Sequence, residues 1–415
     1  MLHSDIIVLI CDYLNNDTYT HLNKDIYRSV RVNEKNAYWK QKYDSLFISM
    51  NKEYLILEGD YIWKKEYIRI RKIDYWHQIN NLRELRLCNQ TNKIPKEICS
   101  INNLQRLYLQ YNQIKKIPEE ICNLINLQRL CLQYNYISEL PIKIGNLNNL
   151  RELCLDGNKI SIIPKEICNL ISLQKLYLNG NEITEIPKEI GNLINLQKMY
   201  IYNNRIKKIP KEMCYLNNLQ ILYLSYNKIK KIPKEIENLN NIQYLYLTNN
   251  EIREIPKEMC NLKNLQNLYL GSNKIKEIPR EIKNLNNLRY LHLRDNEIKK
   301  IPREIGNLNN LLELHIQKNE IGKIPKEIGN LKNLLELYLD SSKIKKIPKE
   351  IGNLINLRRL YIISNGINKI PDELSNLNNL QGLYISTPKK VNPYLSISPF
   401  KKFEYYVRNI YLMNN

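Results

Sequence analysis

The sequence has no run of apolar residues long enough to form a membrane-spanning helix. Such a helix needs about 18 or more consecutive apolar residues, and the 415-residue chain contains no run of that length. The apolar segment from Ile6 to Cys11 is flanked by Asp5 and Asp12 and has no basic segment before it, which is unlike a signal peptide. We therefore predict an intracellular protein, cytoplasmic or nuclear (in the host cytoplasm if the source is a virus), that binds no membrane.

The motifs that mark common catalytic sites are also missing. The sequence contains no glycine-rich phosphate loop, no nucleophile elbow around a serine or cysteine, and no RING-type cysteine spacing. None of the nine cysteines has C-x-x-C spacing, which favours reduced thiols over disulfides or zinc ligands. Several of them share one repeated position with glycine, which indicates that the position needs a small residue: Cys99, Cys122, Cys168, Cys214 and Cys260. We expect neither an enzyme nor a cofactor.

What the sequence does contain is a repeat of 23 residues. From Leu104 to Leu124 it reads L-x-x-L-x-L-x-x-N-x-I-x-x-I-P-x-E-I-x-x-L, and the next copy follows in the same register. The repeat prolines keep this spacing without a slip: Pro95, Pro118, Pro141, Pro164, Pro187, Pro210, Pro233, Pro256, Pro279, Pro302, Pro325, Pro348 and Pro371. A fixed period of this length indicates a stacked repeat architecture.

Each half of the repeat has a predicted structure. The alternation of Leu107 and Leu109 is typical of a short, half-buried strand, which becomes stable when it stacks on parallel neighbours. Asn112 recurs in nearly every copy, and we predict that this column hydrogen-bonds the backbone of adjacent turns. Ser342 replaces it once and should be a weak rung. Pro118 is placed to occupy the first position of a short return helix.

The Leu-x-x-Leu-x-Leu-x-x-Asn segment resembles the leucine-rich repeat family. This resemblance implies an α/β solenoid, a horseshoe with a parallel concave sheet and short convex helices, over residues 81–387. Leu85 and Leu87 form a degenerate first rung. Residues 388–415 are predicted to form a capping helix, with Phe400 and Phe403 on its apolar face.

The first fifty residues carry a second pattern. Apolar residues recur there at helical spacing, and Trp39 follows on a longer helical stretch. The pattern consists of Leu2, Asp5-Ile6, Ile10, Tyr13-Leu14, Asp17, Leu22 and Trp39-Lys40. Together these features resemble an F-box, a small all-α domain, over residues 1–50. The resemblance implies that a Skp-type adaptor of a cullin–RING ubiquitin ligase binds these residues: Leu2, Ile6, Ile7, Ile10, Leu14 and Trp39. Residues 51–80 are predicted as a helical linker and N-terminal cap.

A plain cap over the first rung is the alternative interpretation of this segment. An amphipathic helical cap would show the same apolar periodicity. The F-box is preferred because its signature lies far ahead of the array, whereas a simple cap needs much less chain.

The formal net charge of +21 is concentrated in the repeats. Lysine doublets such as Lys207-Lys208 and Lys230-Lys231 recur between the two isoleucine positions and would line one rim of the solenoid. A basic rim can bind nucleic acid. However, Lys-Glu pairs after most prolines neutralise each other, so we interpret the rim as a solvated surface and do not expect a nucleic-acid partner.

Function is expected on the concave sheet, where outward-facing strand positions are free of the core. One column there is rich in aromatic residues, which are densest between Tyr200 and Tyr290, and rungs about 4.8 Å apart would lay the rings edge to edge. Tyrosine also suits strands by stacking on itself, but a continuous strip is typical of an interface. The predicted target-binding residues are Tyr177, Tyr200, Tyr202, Tyr223, Tyr244, Tyr246, Tyr269, Tyr290, His292 and His315.

Charge also varies along this face. Basic residues such as Lys175 occupy early rungs, whereas Glu313 and Glu336 occupy late ones, which predicts that a complementary partner binds in one direction. His292, His315 and Glu313 come together on adjacent rungs. Because an open strand surface lacks a closed pocket, we expect no metal or catalytic site there.

Two functions remain. The F-box resemblance implies a substrate receptor that links a target on the concave face to a ubiquitin ligase. The alternative is an intracellular signalling scaffold with no ligase connection, because the Ile-Pro and Glu-Ile repeat form is similar to cytosolic leucine-rich repeat scaffolds of small-GTPase and phosphatase signalling.

Overall fold

The computed structural model describes residues 54–57, 82–88, 91–340, 342–363, 365–367 and 369–385. The F-box-like segment 1–50 with its six predicted adaptor-binding residues, and the predicted capping helix 388–415, lie outside the described residues. The chain divides into two compact units, residues 1–196 and 197–415. No helix in the described part of the chain has the length and apolar character needed to cross a membrane.

Unit 1 alternates parallel strands with five-residue 3-10 helices. Consecutive strands pair with each other along the sheet. The strands are Tyr54–Leu57 (β1), Glu84–Leu87 (β2), Arg106–Tyr108 (β3), Arg129–Cys131 (β4), Glu152–Cys154 (β5) and Lys175–Tyr177 (β6). The 3-10 helices are Lys96–Ser100, Glu119–Asn123, Ile142–Asn146, Lys165–Asn169 and Lys188–Asn192.

Unit 2 continues the same alternation, again with consecutive parallel strands paired. The strands are Lys198–Tyr200 (β7), Ile221–Tyr223 (β8), Tyr244–Tyr246 (β9), Asn267–Tyr269 (β10), Tyr290–His292 (β11), Glu313–His315 (β12), Glu336–Tyr338 (β13), Arg359–Ile362 (β14) and Gly382–Ile385 (β15). The 3-10 helices are Lys211–Tyr215, Lys234–Asn238, Lys257–Asn261, Arg280–Asn284, Arg303–Asn307, Lys326–Asn330, Lys349–Asn353 and Asp372–Asn376.

The core of each unit consists of the repeated Leu and Ile columns. In the strand pair β8–β9, Leu222 lies opposite Leu245, and both are fully buried, as are Leu224 and Leu247. Burying one such side chain contributes about 1.5–3 kcal/mol. The alternation predicted from sequence is therefore confirmed.

Strand β1 lies inside the segment 51–80 that the sequence assigned to a helical linker. Residues 54–57 pair in parallel with 84–87 of β2, so the helical prediction is wrong for these four residues. The apolar run Tyr-Leu-Ile-Leu is too short to be told apart from a buried helix turn by its pattern. The edge of β2 presents backbone N–H and C=O groups that residues 54–57 can pair with only as a strand.

The predicted short return helices are present as 3-10 helices. The proline that was predicted at the first helical position occupies the N-cap instead: Pro233 has φ −66° and ψ 147°, an extended conformation. Its carbonyl accepts a hydrogen bond from the Ile236 N–H at 3.1 Å. Glu235 follows in the first turn, where the positive end of the helix dipole favours an acid.

The predicted asparagine ladder is present. In unit 2, Nδ2 of Asn227 donates to the carbonyls of Ile201 and Leu224, each at 3.0 Å, while its Oδ1 accepts from the Ile206 N–H at 3.0 Å. The buried amide therefore joins two neighbouring turns. Ser342 is the weak rung that the sequence predicted, because its buried Oγ has no hydrogen-bond partner.

A second asparagine ladder, which was not predicted from the sequence, follows most of the 3-10 helices; Ser172 replaces the asparagine after Lys165–Asn169. Nδ2 of Asn264 donates to the carbonyl of Asn240 at 2.8 Å, and Nδ2 of Asn287 donates to that of Lys263 at 2.8 Å. These asparagines are exposed, so each bond contributes less than a buried one. The signal was the repeated Asn before the leucine that begins each rung.

Steric crowding explains why glycine occurs at the repeat position that holds cysteine in other copies. A Cβ on Gly329 would lie 2.2 Å from the carbonyl oxygen of Glu350, closer than atoms can approach. The neighbouring turn is packed against Gly329, so this copy of the repeat needs glycine. The same column holds Glu237 and Lys283 in other copies, so the prediction of a small residue is wrong for those two.

Candidate functional site

The outward face of the sheet in unit 2 carries an unbroken column of nine aromatic rings, which we name the aromatic stack. Each ring follows the buried central leucine or methionine of its strand, and so points away from the core. The members are Tyr200, Tyr223, Tyr246, Tyr269, His292, His315, Tyr338, Tyr361 and Tyr384.

The rings of the aromatic stack lie mostly face to face. The centroids of Tyr223 and Tyr246 are 4.4 Å apart with an interplanar angle of 23°, and those of Tyr361 and Tyr384 are 4.1 Å apart at 4°. One pair, Tyr269 and His292, meets edge to face at 67°. The predicted edge-to-edge arrangement is therefore wrong, because side chains on adjacent rungs are close enough to turn their faces onto each other.

The aromatic stack is only partly exposed to solvent. The nine rings are half-buried, whereas Tyr202 is 39% exposed and contacts Tyr223 edge-on at 5.3 Å. Burial, followed by the neighbouring phenols, raises the pKa of Tyr246 to about 12. The hydroxyl of Tyr246 thus stays protonated near neutral pH and can donate a hydrogen bond.

The predicted binding residues do not all belong to the aromatic stack. Tyr244 and Tyr290 come before the buried leucines of β9 and β11 and are half-buried on the same face. Conversely, Tyr338, Tyr361 and Tyr384 extend the aromatic stack beyond the region that was predicted to be densest. These three tyrosines occupy the same repeat position as Tyr200, and that position could have identified them as part of the predicted binding surface.

Tyr177 lies in unit 1, where the same column is different. It packs against a buried cluster of Tyr108, Cys131 and Cys154. The two sulfur atoms of this cluster are 3.8 Å apart, and both cysteines are free thiols. In unit 1 these side chains of the column are therefore mostly buried, and two of them are cysteines, so they expose little aromatic surface.

The charges of this face are more balanced than the sequence suggested. In unit 1, Arg106 pairs with Glu84 at 2.8 Å and Arg129 pairs with Glu152. In unit 2, Arg359 pairs with Glu336 at 2.8 Å. These partners reduce the predicted charge gradient.

The lysine doublets of the predicted basic rim are exposed, as the sequence indicated. Both residues of Lys207-Lys208 and of Lys299-Lys300 are open to solvent. The solvated-surface interpretation accounts for them.

The two histidines in the middle of the aromatic stack converge on one carboxylate. Nε2 of His292 and Nε2 of His315 each lie 3.4 Å from Oε2 of Glu313. Both nitrogens are buried and have no hydrogen-bond partner. Burial, followed by repulsion from His315, lowers the pKa of His292 to about 3, and burial lowers that of His315 to about 4. Both rings are therefore neutral at pH 7.

The comparison with protein families gives matches along most of the array. The model described as "Leucine-rich repeat region" matches residues 64–163, 157–243 and 279–396, and the model described as "Leucine rich repeat" matches residues 245–298. Neither is a family of enzymes. No curated protein matches the chain.

Solved structures with the same fold come from bacteria and plants. A leucine-rich repeat protein of Leptospira interrogans is 40% identical, with a TM-score of 0.70 over 76% of this chain and 82% of that one. An internalin of Listeria monocytogenes is 26% identical, with a TM-score of 0.67 over 76% and 90%. The plant peptide hormone receptor RGFR1, solved in complex with RGF2, is 29% identical, with a TM-score of 0.59 over 73% and 59%. From its repeat pattern, its solenoid of stacked parallel strands and these matches, the chain belongs to the leucine-rich repeat family.

Proposed function

We propose that the aromatic stack binds a protein target and that the chain acts as an interaction scaffold. The observation that carries this proposal is a continuous row of half-exposed aromatic rings on the face of the sheet that the core does not use. Rings held by their neighbours lose little side-chain entropy on binding, and tyrosine is enriched among interface residues that dominate affinity.

The relatives support a protein ligand over a small molecule. The plant receptor RGFR1 was solved in complex with RGF2. A small-molecule site needs a concave pocket that encloses most of its ligand, whereas the aromatic stack is a long open row.

Affinity capture with variants of the aromatic stack tests target binding. Tyr223→Ala combined with Tyr246→Ala removes two adjacent rings from the aromatic stack and should lose the captured protein, with affinity falling at least about 30-fold if these are dominant contacts. The matched control is Tyr215→Ala, which removes an exposed tyrosine from a 3-10 helix rather than a strand. Equal recovery of the same protein by the double variant and the wild type would exclude the aromatic stack as the binding site.

We further propose that the chain is an F-box-type substrate receptor within a cullin–RING ubiquitin ligase in the cytoplasm or nucleus. This proposal rests on the F-box-like pattern of residues 1–50, with Leu2, Ile6, Ile7, Ile10, Leu14 and Trp39 contacting the adaptor. The ligase chemistry would belong to another subunit.

Co-purification with a Skp-type adaptor tests the ligase role. The wild type should retain the adaptor, and Ile6→Asp with Ile10→Asp should lose it because charges cannot replace the apolar contact. The same double variant should still capture the target, since its substitutions lie far from the aromatic stack in sequence. If the wild type binds no adaptor but does bind a target, the alternative of a scaffold without a ligase connection is correct.

A further inference from the structure

One cluster on the face of unit 2 has the composition of a metal site. Among the described residues, His292, Glu313 and His315 are the group of three whose potential ligand atoms all lie within 4.8 Å of one another. Strand register brings them together: His292 of β11 lies opposite His315 of β12, and Glu313 is two residues before His315, on the same side of the strand.

No metal was expected at this cluster, because an open strand surface lacks a closed pocket. The structure shows instead that the stacked rings cover the histidines, whose side chains are 21% and 18% exposed. Each Nε2 atom is buried and makes no hydrogen bond, although Oε2 of Glu313 is only 3.4 Å away. A buried ring nitrogen without a hydrogen-bond partner is costly, and a bound cation would satisfy both nitrogens and the carboxylate at once.

The distances favour one class of cation. Zinc bonds of about 2.0–2.1 Å in a tetrahedron place the ligand atoms about 3.3–3.4 Å apart, which agrees with both separations between His292 or His315 and Glu313. An octahedral iron site would place neighbouring ligands closer, about 3.0 Å apart. Calcium and magnesium prefer a shell of oxygens, and this cluster supplies two nitrogens.

Metal binding requires the two rings to turn. The two imidazole rings stack with centroids 3.9 Å apart and an interplanar angle of 16°, whereas a metal lies near the plane of each imidazole that binds it. Rotation of both rings about their Cβ–Cγ bonds would let the two Nε2 lone pairs meet one ion beside Oε2 of Glu313. The side chain of Glu313 is 28% exposed, so an ion can reach the cluster from solvent on the side of this carboxylate.

We propose that His292, Glu313 and His315 bind one zinc-class divalent cation, with the fourth position open to solvent. Three protein ligands and one open position leave room for water or for a donor atom from a bound protein. The site lies in the middle of the aromatic stack, but the proposal does not depend on target binding, because the ligands all come from this chain.

Zinc titration of the purified, metal-free full-length protein tests the site in competition with a chromophoric chelator. The wild type should bind one more zinc ion per chain than a variant that lacks the site. His292→Tyr is the chosen ligand variant because tyrosine fills this column on neighbouring rungs, so the stack survives. Glu313→Gln keeps the shape and removes the charge. Each should weaken zinc binding at the site by at least about 100-fold.

Two controls separate this site from other zinc ligands. Glu336→Gln changes the same position on the next strand and should bind zinc as the wild type does. Cys131→Ser with Cys154→Ser removes the two thiols whose sulfur atoms lie 3.8 Å apart and should also retain the site. Cobalt substituted for zinc should give visible absorption of a tetrahedral centre without thiolate bands.

Three results would overturn the proposal. The first is the absence of saturable zinc binding by the wild type. The second is zinc binding that is unchanged in both His292→Tyr and Glu313→Gln. The third is zinc binding that is lost only when the two cysteines are replaced.

Discussion

Replacing Ser342 with asparagine should stabilise unit 2, because Ser342 interrupts the asparagine ladder. On the preceding rung, Nδ2 of Asn319 donates to two carbonyl oxygens, those of Leu293 at 3.0 Å and Ile316 at 2.9 Å, and its Oδ1 accepts from the Ile298 N–H at 3.0 Å. Ser342 has only a hydroxyl, and this is buried without a partner. Asparagine at 342 is expected to restore the same three bonds, with the Ile321 N–H as the new donor.

The size of the gain follows from these bonds. Three buried hydrogen bonds contribute about 1 kcal/mol each in net terms, and ordering the longer side chain costs roughly 1 kcal/mol. The substitution should therefore raise the free energy of unfolding by about 1–2 kcal/mol. For a unit of this size the midpoint temperature would rise by about 3–6 °C.

Thermal unfolding and hydrogen exchange measure this effect together. Repeat arrays can unfold in parts, so the exchange rate of the Ile321 N–H gives the local value, and it should fall about 10-fold for 1.4 kcal/mol. The reverse substitution, Asn250→Ser, removes bonds to Leu224, Leu247 and the Ile229 N–H. It should lower the free energy of unfolding by about 2 kcal/mol and speed exchange at Ile229.

The two variants distinguish a local exception at Ser342 from an asparagine ladder that does not stabilise the repeats. An unchanged midpoint and unchanged Ile321 exchange in Ser342→Asn, beside a destabilised Asn250→Ser, would mean that the Ser342 turn satisfies its backbone in another way. If Asn250→Ser leaves the free energy of unfolding unchanged as well, the ladder does not stabilise the repeats.

Three further predictions concern single positions in unit 2. Gly329→Ala should lower the free energy of unfolding by about 1–3 kcal/mol in urea titration, because its Cβ would meet the Glu350 carbonyl oxygen, whereas Gly322→Ala, with open space around it, should change little. Burial raises the pKa of Asp340 to about 6, so the folded state holds the proton more tightly than the unfolded state. Stability is then lost as pH rises from about 4 through about 6. Asp340→Asn should remove this dependence, with a gain of about 1 kcal/mol at pH 8 after allowing for partial exposure; equal melting curves at pH 4 and pH 8 for both proteins would contradict it. Tyr246→Phe keeps the ring and should leave stability within about 0.5 kcal/mol, whereas Tyr246→Ala should cost at least about 1 kcal/mol in the same titration through lost stacking.

The columns of the repeat could be read from the sequence because each has one local requirement. The leucine alternation of Leu222 and Leu224 and the asparagine ladder at Asn227 both depend on which face of a repeat unit a residue occupies. Position in the 23-residue period fixes that face. Strand β1 could not be read in this way, because its four residues lie outside the period and become a strand only by pairing with β2.

The sequence by itself determined the repeat, its buried columns, the free cysteines and the column of aromatic residues on the outward face. The tertiary structure decided how side chains on different rungs meet: the rings stack by their faces rather than their edges, and Nε2 atoms of His292 and His315 converge, buried, on Glu313. Periodicity fixes the direction in which a side chain leaves the backbone. The rotation of each ring, and therefore the distance between atoms from different repeats, depends on packing between neighbours about 4.8 Å apart, which no single-residue pattern encodes.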